Sequence, residues 1–155
     1  MPDFQIVETD DIPYLFEERT APMDPQAIGA EMGKAFGNVL GFMQQHRIQG
    51  AGKVMAVYYT APTDEITFQA GFSVEKDPGT EASSAIQFAQ IPAGKAVYFQ
   101  HKGSYSKLRD AYGAMLAFME KESLTMGAPC WEVYLNDPAE VPEEALLTDV
   151  YMALA

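Results

Sequence analysis

The sequence predicts an α+β fold in which two ββαββ modules form one antiparallel sheet, with two helices around a pseudo-two-fold axis. Three observations predict it: two segments with helical periodicity, strand-like segments before and after each of them, and an internal repeat. The chain has 155 residues, 48% hydrophobic and 21% charged, which suits one globular domain with its own core. We therefore expect a single domain over residues 1–155, with halves of about 1–78 and 79–155.

Two segments repeat apolar residues at steps of three and four, which is the spacing of an amphipathic helix. The first helix should begin at Asp24-Pro25, because Asp accepts hydrogen bonds from free backbone N–H groups and Pro fits the first helical position. Ser104 is the expected start of the second helix, and the glycines at 50–52 and 127 are the expected ends. The two apolar stripes are Ile28, Met32, Phe36, Val39, Leu40 and Met43, then Tyr105, Leu108, Tyr112, Met115, Leu116 and Met119.

Eight segments rich in β-branched and aromatic residues predict strands, four around each helix. Turns are expected at 62–64 and 92–94, and the segment 77–81 is expected to connect the halves. The predicted strands are 4–8, 14–20, 54–60, 66–74, 85–91, 95–101, 130–136 and 146–153.

An internal repeat supports this order of elements. A shift of 76 residues superposes 35–74 on 111–150 without a gap, and nine of the forty positions are then identical, where chance gives roughly two or three. Helix falls on helix and strand on strand, so a duplicated module accounts for the pattern. Each module has an apolar face that needs a partner, and the junction between such modules is a favoured place for a ligand pocket.

The composition limits the classes of function. A formal net charge of −12 opposes binding to a phosphate backbone, so no direct nucleic-acid partner is expected. No run of about 18 apolar residues predicts a membrane span, and the N-terminus carries no secretory signal. The single cysteine, Cys130, cannot form an internal disulfide, which fits a cytoplasmic protein. His46 and His101 are too isolated for a metal site, so no metal or other cofactor is expected.

Glu132 is the main candidate for a functional residue, because it lies in an otherwise apolar strand. Side chains alternate along a strand, so Cys130, Glu132 and Tyr134 share one face and Trp131 lies on the other. The repeat places Ala56 where the second half has Glu132. A carboxylate in an apolar strand is costly unless it is hydrogen-bonded, paired or used, and burial raises its pKa. A glutamate on an edge strand or facing solvent is the alternative.

Aromatic side chains are the candidates for the walls of a ligand pocket. Two pairs of them occupy equivalent positions in the two halves, one pair on the helices and one on the strands. Tyrosine offers a π face for planar or cationic ligands and a hydroxyl group that orients them. Simple packing in the core is the alternative for each residue. The candidates for ligand contact beside Glu132 are Tyr134, Tyr58, Phe36, Tyr112, Trp131 and Tyr98.

Glycine recurs every fourth residue on the first helix, at Gly29, Gly33, Gly37 and Gly41. Each glycine costs roughly 1 kcal/mol relative to alanine inside a helix. We interpret the strip as a surface for tight packing on the sheet, with close approach by a ligand as the alternative.

One combination of motifs is distinctive: Gly-x-Tyr, a helix, Glu-x-Tyr and Asp-Pro, in that order. By these motifs the chain resembles the GyrI-like small-molecule-binding domain, which is the effector-binding domain of bacterial transcription activators, including multidrug-sensing regulators. The resemblance covers nearly the whole chain and is strongest from Tyr98 onward. The residues that carry it are Lys102-Gly103-Ser104-Tyr105, Leu108, Ala111-Tyr112, Leu116, Pro129, Trp131-Glu132-Val133-Tyr134, Asp137-Pro138 and Leu147-Thr148-Asp149.

The resemblance implies a pocket at the pseudo-axis, in which Glu132 contacts cationic or polar ligand groups and aromatic residues stack on the ligand. Some stand-alone members of the family are similar to hydrolases that open strained, cyclopropane-containing toxins with the same glutamate. No residues remain for a helix-turn-helix, so a stand-alone module is expected rather than a one-chain transcription factor.

Three functions follow from these expectations. The first is binding of a lipophilic small organic molecule, with cations favoured by the acidic charge. The second is hydrolysis of a strained or toxic small molecule, with Glu132 as general base or nucleophile. The third is an acidic protein-interaction module similar to a gyrase inhibitor, using acidic residues at 10–18 and 140–149, for which solvated surface is the alternative. The oligomeric state stays open.

Overall fold

The computed structural model describes residues 3–60, 63–75 and 86–155 and confirms the α+β class. Within these residues there are eight strands and two α-helices, in the order ββαββ, ββαββ. The predicted connection at 77–81 and the division of the halves near residue 78 lie outside the described residues. The elements are β1 (Gln5–Thr9), β2 (Ile12–Pro22), α1 (Pro25–Gln45), β3 (Gly50–Tyr58), β4 (Glu65–Val74), β5 (Ile86–Ile91), β6 (Gly94–Lys102), α2 (Leu108–Lys121), β7 (Met126–Tyr134) and β8 (Leu147–Leu154).

The order of the strands in the sheet reflects the duplication. The strands are antiparallel and lie in the order β1-β6-β8-β7-β3-β4-β2-β5. The equivalent strands of the two halves are β1 and β5, β2 and β6, β3 and β7, and β4 and β8. If the two members of every pair are exchanged, the strand order is the same, read in the opposite direction. β3 and β7 therefore pair at the centre, and the pseudo-two-fold axis passes between them.

The sheet curls until its two edges approach each other. Only two residues separate β1 from β2, yet β1 pairs with β6 at one edge and β2 pairs with β5 at the other. A link of this length spans roughly 10 Å, so the edges must be close. An equally short link, 92–93, joins β5 to β6. The two links are hydrogen-bonded to each other, because Asp11 Oδ1 accepts from the backbone N–H of Ala93 at 2.7 Å.

Apolar side chains fill both faces of the curled sheet. We define the inner face as the face inside the curl. Its core contains Trp131 and also Ile91 of β5 and Ala96 of β6, which come from opposite ends of the sheet. The outer face carries the helices: α1 packs with Leu15 and its neighbours, and α2 packs with Phe99 and its neighbours. Because the helices cover separate halves of this face, the strip over β3 and β7 lies between them.

The helices end five and six residues before the expected glycines, at Gln45 and Lys121, so that prediction is wrong. Arg47 and Ser123, which are equivalent under the shift of 76, have φ of 55° and 56°. The next residues, Ile48 and Leu124, donate backbone hydrogen bonds at 2.8 Å to the carbonyls of Met43 and Met119 and pack in the same cores. This Schellman geometry with its apolar contact compensates for a non-glycine residue in the left-handed region. The glycines at 50–52 and 127 lie inside β3 and β7, where the register shifts.

The starts of the helices agree only in part with the sequence. Asp24 caps α1 as expected, and its Oδ2 accepts from the backbone N–H of Ala27 at 3.1 Å. Ser104 instead precedes a 3₁₀ turn at Tyr105–Lys107, and α2 begins after that turn. The turn brings Tyr105 beside the strands, which matters for the site below.

The glycine strip of α1 does not pack on the sheet, so that interpretation is also wrong. Gly29, Gly33, Gly37 and Gly41 are exposed, and a Cβ built at any of them meets nothing within 4 Å. The reason is the orientation of α1 about its own axis, because the side that packs on the sheet is formed by Ala35, Val39 and Met43 and their neighbours.

Replacing Gly37 by alanine is therefore expected to stabilise the protein. The new methyl group enters open space, while the unfolded chain loses conformational freedom, which together raise the free energy of unfolding by about 0.5–1 kcal/mol. Urea unfolding monitored by circular dichroism measures the change. Gly113→Ala at the equivalent, equally open position of α2 is the matched variant. A loss of stability in both variants would contradict the open face.

Candidate functional site

Glu132 lies at the centre of the pseudo-symmetry. In the β3–β7 ladder Ala56 is the Cα partner of Glu132, and these two positions are also equivalent under the shift of 76. The flanking pairs, Val54 with Tyr134 and Tyr58 with Cys130, exchange under the same shift. The pseudo-axis therefore passes through the Ala56–Glu132 pair. At this pair the first half has an alanine and the second half has a carboxylate.

The side chain of Glu132 is enclosed by two phenols. It is 5% exposed, and β7 lies between β3 and β8, so Glu132 is on a central strand. Tyr112 of α2 donates its hydroxyl to Oε2 at 2.5 Å, and Tyr134 donates to Oε1 at 2.7 Å. Each carboxylate oxygen therefore keeps a hydrogen bond despite its burial, which is the condition for placing a carboxyl group in a core.

Burial raises the pKa of Glu132, and the hydrogen bonds from Tyr112 and Tyr134 and the nearby His101 oppose that rise in part. Burial, followed by the charge of Glu132, raises the pKa of Tyr58, Tyr112 and Tyr134 well above the ordinary tyrosine value. The three phenols therefore keep their protons at neutral pH. The site combines a carboxyl group that titrates above its usual range with hydroxyl groups that keep their protons.

The first half contributes apolar groups to the same place. Phe36 of α1, the equivalent of Tyr112, has no hydroxyl and meets the Tyr134 ring edge-on, with centroids 6.2 Å apart. The sulfur of Met32, one turn earlier, lies 3.5 Å from the hydroxyl oxygen of Tyr134, whose proton is donated to Glu132 at the shorter distance of 2.7 Å. Glu132 and the two phenols that donate to it therefore belong to the second half, and the first half adds the sulfur of Met32, the ring of Phe36 and the buried phenol of Tyr58.

Three further residues of the site lie outside the seven predicted ligand contacts, although Tyr105 is one of the tyrosines expected to be available for a pocket wall. Tyr105 is 38% exposed, and its ring lies 5.7 Å from that of Tyr134, so it forms an outer wall. Cys130 donates its thiol to the Tyr112 hydroxyl at 3.5 Å, and burial raises the pKa of this thiol to about 12. Met32 is the third. In the sequence, strand alternation with Glu132 points to Cys130, and the helical stripe that contains Phe36 points to Met32.

We call the whole group of side chains around Glu132 the axial cluster: Met32, Phe36, Tyr58, Tyr105, Tyr112, Cys130, Glu132 and Tyr134.

A cavity of about 350 Å³ lies beside the axial cluster on the outer face. It is mainly apolar and is lined by Val54, the Cα partner of Tyr134, and by Phe72, whose ring lies 5.8 Å from that of Phe36. Leu40 and Met43 of α1 form its opposite wall. We call it the outer cavity. Its volume is within the range of small-molecule sites, and its lining residues are neighbours of the axial cluster rather than members of it.

Two of the seven predicted contact residues are not in the axial cluster. Trp131 and Tyr98 lie on the inner face, where both pack with Tyr151. For Trp131 the cause is strand alternation, since it follows Cys130 and precedes Glu132. For Tyr98 the cause is the register of β6, which makes it the Cα partner of Tyr151. The structure brings together Glu132, Tyr134, Tyr58, Phe36 and Tyr112.

Glu17, one of the acidic residues predicted for a protein-binding surface, belongs to the interior instead. It is 6% exposed, contacts Arg19 at 2.5 Å, and accepts from the amide of Asn38 at 3.1 and 3.2 Å. Arg19 also contacts Glu31 of α1 at 2.6 Å. These contacts attach α1 to β2, so Glu17 has a structural partner on the same chain.

Neither a metal site nor a membrane span is found in the described part of the chain. No three side chains of the His, Cys, Asp and Glu type are grouped there to hold a metal ion. Neither helix in those residues combines the length and the apolar character needed to cross a bilayer.

Solved structures share the fold at low sequence identity. EcmrR in a cryo-EM complex with DNA has a TM-score of 0.81 and 16% identity, and the match covers 99% of this chain but 57% of EcmrR. SAV2435 bound to tetraphenylphosphonium has a TM-score of 0.69 and 10% identity, covering 99% and 94% of the two chains. A hydrolase from Listeria innocua has a TM-score of 0.64 and 14% identity, covering 99% and 92%. At these identities the likeness is one of fold.

The family is shown by the sequence. No curated protein matches the chain by sequence. A family model, that of the GyrI-like small molecule binding domain, matches residues 2–155, which is almost the full length and includes every residue of the axial cluster. The chain therefore belongs to the GyrI-like family of small molecule binding domains.

Proposed function

We propose that the protein binds a lipophilic organic cation over the axial cluster, with Glu132 as the carboxylate that recognises the positive charge. The observation that carries the proposal is the enclosure of Glu132 by aromatic groups at 5% exposure. Among the described residues no ion pair of Glu132 is found. An anionic group in such surroundings gains more from a cation than an exposed one does, because water screens it less.

The surroundings of Glu132 suit a bulky cation better than a small one. The rings of Phe36 and Tyr105 pack against that of Tyr134, which is hydrogen-bonded to the carboxylate, and aromatic rings attract cations through their π faces. The outer cavity supplies about 350 Å³ for an apolar substituent. Tyr112 and Tyr134 hold the carboxylate in one orientation, so little freedom is lost on binding.

The similar structures are consistent with this proposal. SAV2435 is bound to tetraphenylphosphonium, which is a lipophilic cation. EcmrR is in complex with DNA, but this chain spans little more than half of EcmrR, and its net charge of −12 argues against direct contact with DNA. We propose a ligand-binding role without direct binding to nucleic acid, in the cytoplasm, where the free thiol of Cys130 stays reduced.

A mass-spectrometric panel tests the proposal. The purified protein is incubated with tetraphenylphosphonium, a neutral aromatic compound of similar size and a cyclopropane-containing compound, and both retained and altered masses are scored. We expect the cation to be retained unaltered at the highest occupancy. Equal occupancy by the cation and the neutral compound would remove Glu132 from the proposal and leave a general apolar site.

Hydrolysis is the second candidate, and one observation favours it. The pKa of Glu132 is raised by burial, which moves a carboxylate toward the range of a general base at neutral pH. The fold is also that of a hydrolase from Listeria innocua. In the same panel, hydrolysis gives a product heavier by one water that is absent with Glu132→Gln. Turnover that survives this substitution unchanged would exclude Glu132 as the base.

A further inference from the structure

A second cavity, of about 540 Å³, lies on the inner face and is separate from the axial cluster. It opens at the end of the curled sheet where the link between β1 and β2 crosses between the edges, and its wall includes Asp10 and Asp11 of that link. The sheet itself separates this inner cavity from the axial cluster, since the consecutive residues Trp131 and Glu132 of β7 face opposite ways. Its volume is again in the range of small-molecule sites.

An aromatic ladder forms one wall of the inner cavity. Tyr98, Tyr151 and Trp131 lie in one row across β6, β8 and β7, each ring centroid 5.0 Å from the next, and the Trp131 and Tyr151 rings are stacked at 10°. The first half has no such ladder, because the shift of 76 places Met55 and Glu75 at the positions of Trp131 and Tyr151. The symmetric architecture therefore does not require these rings.

The charged and polar groups of the inner cavity favour a particular class of ligand. Its charged residues are Glu8, Asp10 and Asp11 against Lys53, which sum to −3 + 1 = −2. No ion pair to these carboxylates occurs within residues 3–60, 63–75 and 86–155. Trp131 is 1% exposed, and its indole N–H has no acceptor within the same ranges. A buried donor without an acceptor is uncommon in proteins.

From these three features we infer that the inner cavity is a second ligand site, for an organic cation with a planar aromatic group. The ring of the ligand packs on the ladder, and its positive charge lies toward Asp10 and Asp11 at the mouth. The inference does not rest on the proposal for Glu132, because the aromatic ladder and the carboxylates of the inner cavity lie outside the axial cluster; Lys53 lines both the inner and the outer cavity.

The single tryptophan makes this site measurable by itself. Trp131 is the one tryptophan of the 155-residue chain, so its fluorescence reports on the inner cavity. The probe is 1-benzylpyridinium, an organic cation with two planar aromatic rings, whose pyridinium group quenches indole on contact. The titration uses Glu132→Gln protein, in which the first site is weakened. We expect saturable quenching, about tenfold weaker in affinity in Asp10→Asn/Asp11→Asn, where the charge at the mouth is removed.

Two further variants complete the test. Glu143→Gln/Glu144→Gln makes the same change of net charge outside the cavity and should leave the affinity unchanged. Tyr151→Leu removes the middle ring of the ladder and should weaken the probe about tenfold. Absence of saturable quenching in Glu132→Gln protein, or equal losses in the two double variants, overturns the second site. Neither result bears on the retention of tetraphenylphosphonium in the first panel, so the two proposals fail separately.

Discussion

Glu132→Gln is expected to weaken the binding of tetraphenylphosphonium by about 30-fold, or ~2 kcal/mol, while a neutral aromatic of similar size binds as before. Glutamine keeps the shape and removes the charge: its Oε1 accepts from one of the two tyrosines, and its Nε2 donates to the hydroxyl oxygen of the other. Isothermal titration of both ligands with both proteins measures the difference. An equal loss for the cation and the neutral compound would contradict charge recognition.

The same substitution is expected to stabilise the protein without ligand. Because burial raises the folded-state pKa of Glu132, folding favours its protonated form. The stabilisation from that protonated form is complete below the ordinary glutamate pKa of 4.5 and is lost as pH rises through the raised folded value. Above that value the wild type contains a buried charge that glutamine lacks. At pH 8 we expect Glu132→Gln to melt ~3 °C above the wild type, which corresponds to about 1 kcal/mol of unfolding free energy. The difference in melting temperature should decrease toward pH 4.

Glu17→Gln is the matched control for both measurements. Glu17 is also buried on the outer face, at 6% exposure, but it is paired with Arg19 and lies outside the axial cluster. Its replacement breaks an ion pair, so we expect lower stability and unchanged affinity for the cation. The two glutamines should therefore move stability in opposite directions. A loss of cation binding in Glu17→Gln would show that the Glu132 result reflects general disturbance.

Gly71→Ala is expected to have the largest effect on folding, with a loss of about 3 kcal/mol or more of unfolding free energy, or no folded protein. A Cβ on Gly71 would overlap the backbone carbonyl oxygen of Leu15 and lie 2.8 Å from Cα of Phe16. Both obstacles are backbone atoms of the neighbouring strand β2, so no side-chain rotation relieves the overlap. The strands must separate locally instead, and the β2–β4 ladder loses hydrogen bonds.

Urea unfolding of soluble protein, or the yield of soluble protein where none folds, measures the Gly71 effect. Gly94→Ala is the matched control, because Gly94 also lies in a strand and a Cβ there meets nothing within 4 Å. We expect its stability to change by less than about 0.5 kcal/mol. Stability of Gly71→Ala equal to that of Gly94→Ala would mean that β2 and β4 lie farther apart than described.

The architecture was predictable because a helix or strand that is buried on one face needs apolar residues at a regular spacing in the sequence. The stripe that contains Val39 marked α1, and the predicted strand 66–74 differs from β4 by one residue. The helix ends were not predictable from glycine content. Arg47 and Ser123 adopt the left-handed conformation because Ile48 and Leu124 pack into the core, and that packing depends on distant parts of the chain.

The site was predictable as far as local spacing determines it. Alternation along β7 and the repeat together identified Glu132 and Tyr134 as neighbours on one face. The contact of Met32 with Tyr134 joins residues 102 positions apart, and it depends on how α1 lies across the sheet. The face occupied by Tyr98 depends on the pairing of β6 with β8. Neither the contact of Met32 nor the face of Tyr98 can be inferred from the sequence close to these residues.

The position of the pseudo-axis has a consequence for how such a site arises. If each module were a separate chain, two identical copies would form a homodimer with a true two-fold axis at this place. A glutamate there would face its own copy at roughly 5 Å between Cα atoms, and the two carboxylates would repel each other. Fusion of the copies into one gene removes that constraint, because Ala56 and Glu132 mutate independently. Covalent linkage therefore allows a single carboxyl group on the axis, whereas a symmetric dimer would place two there.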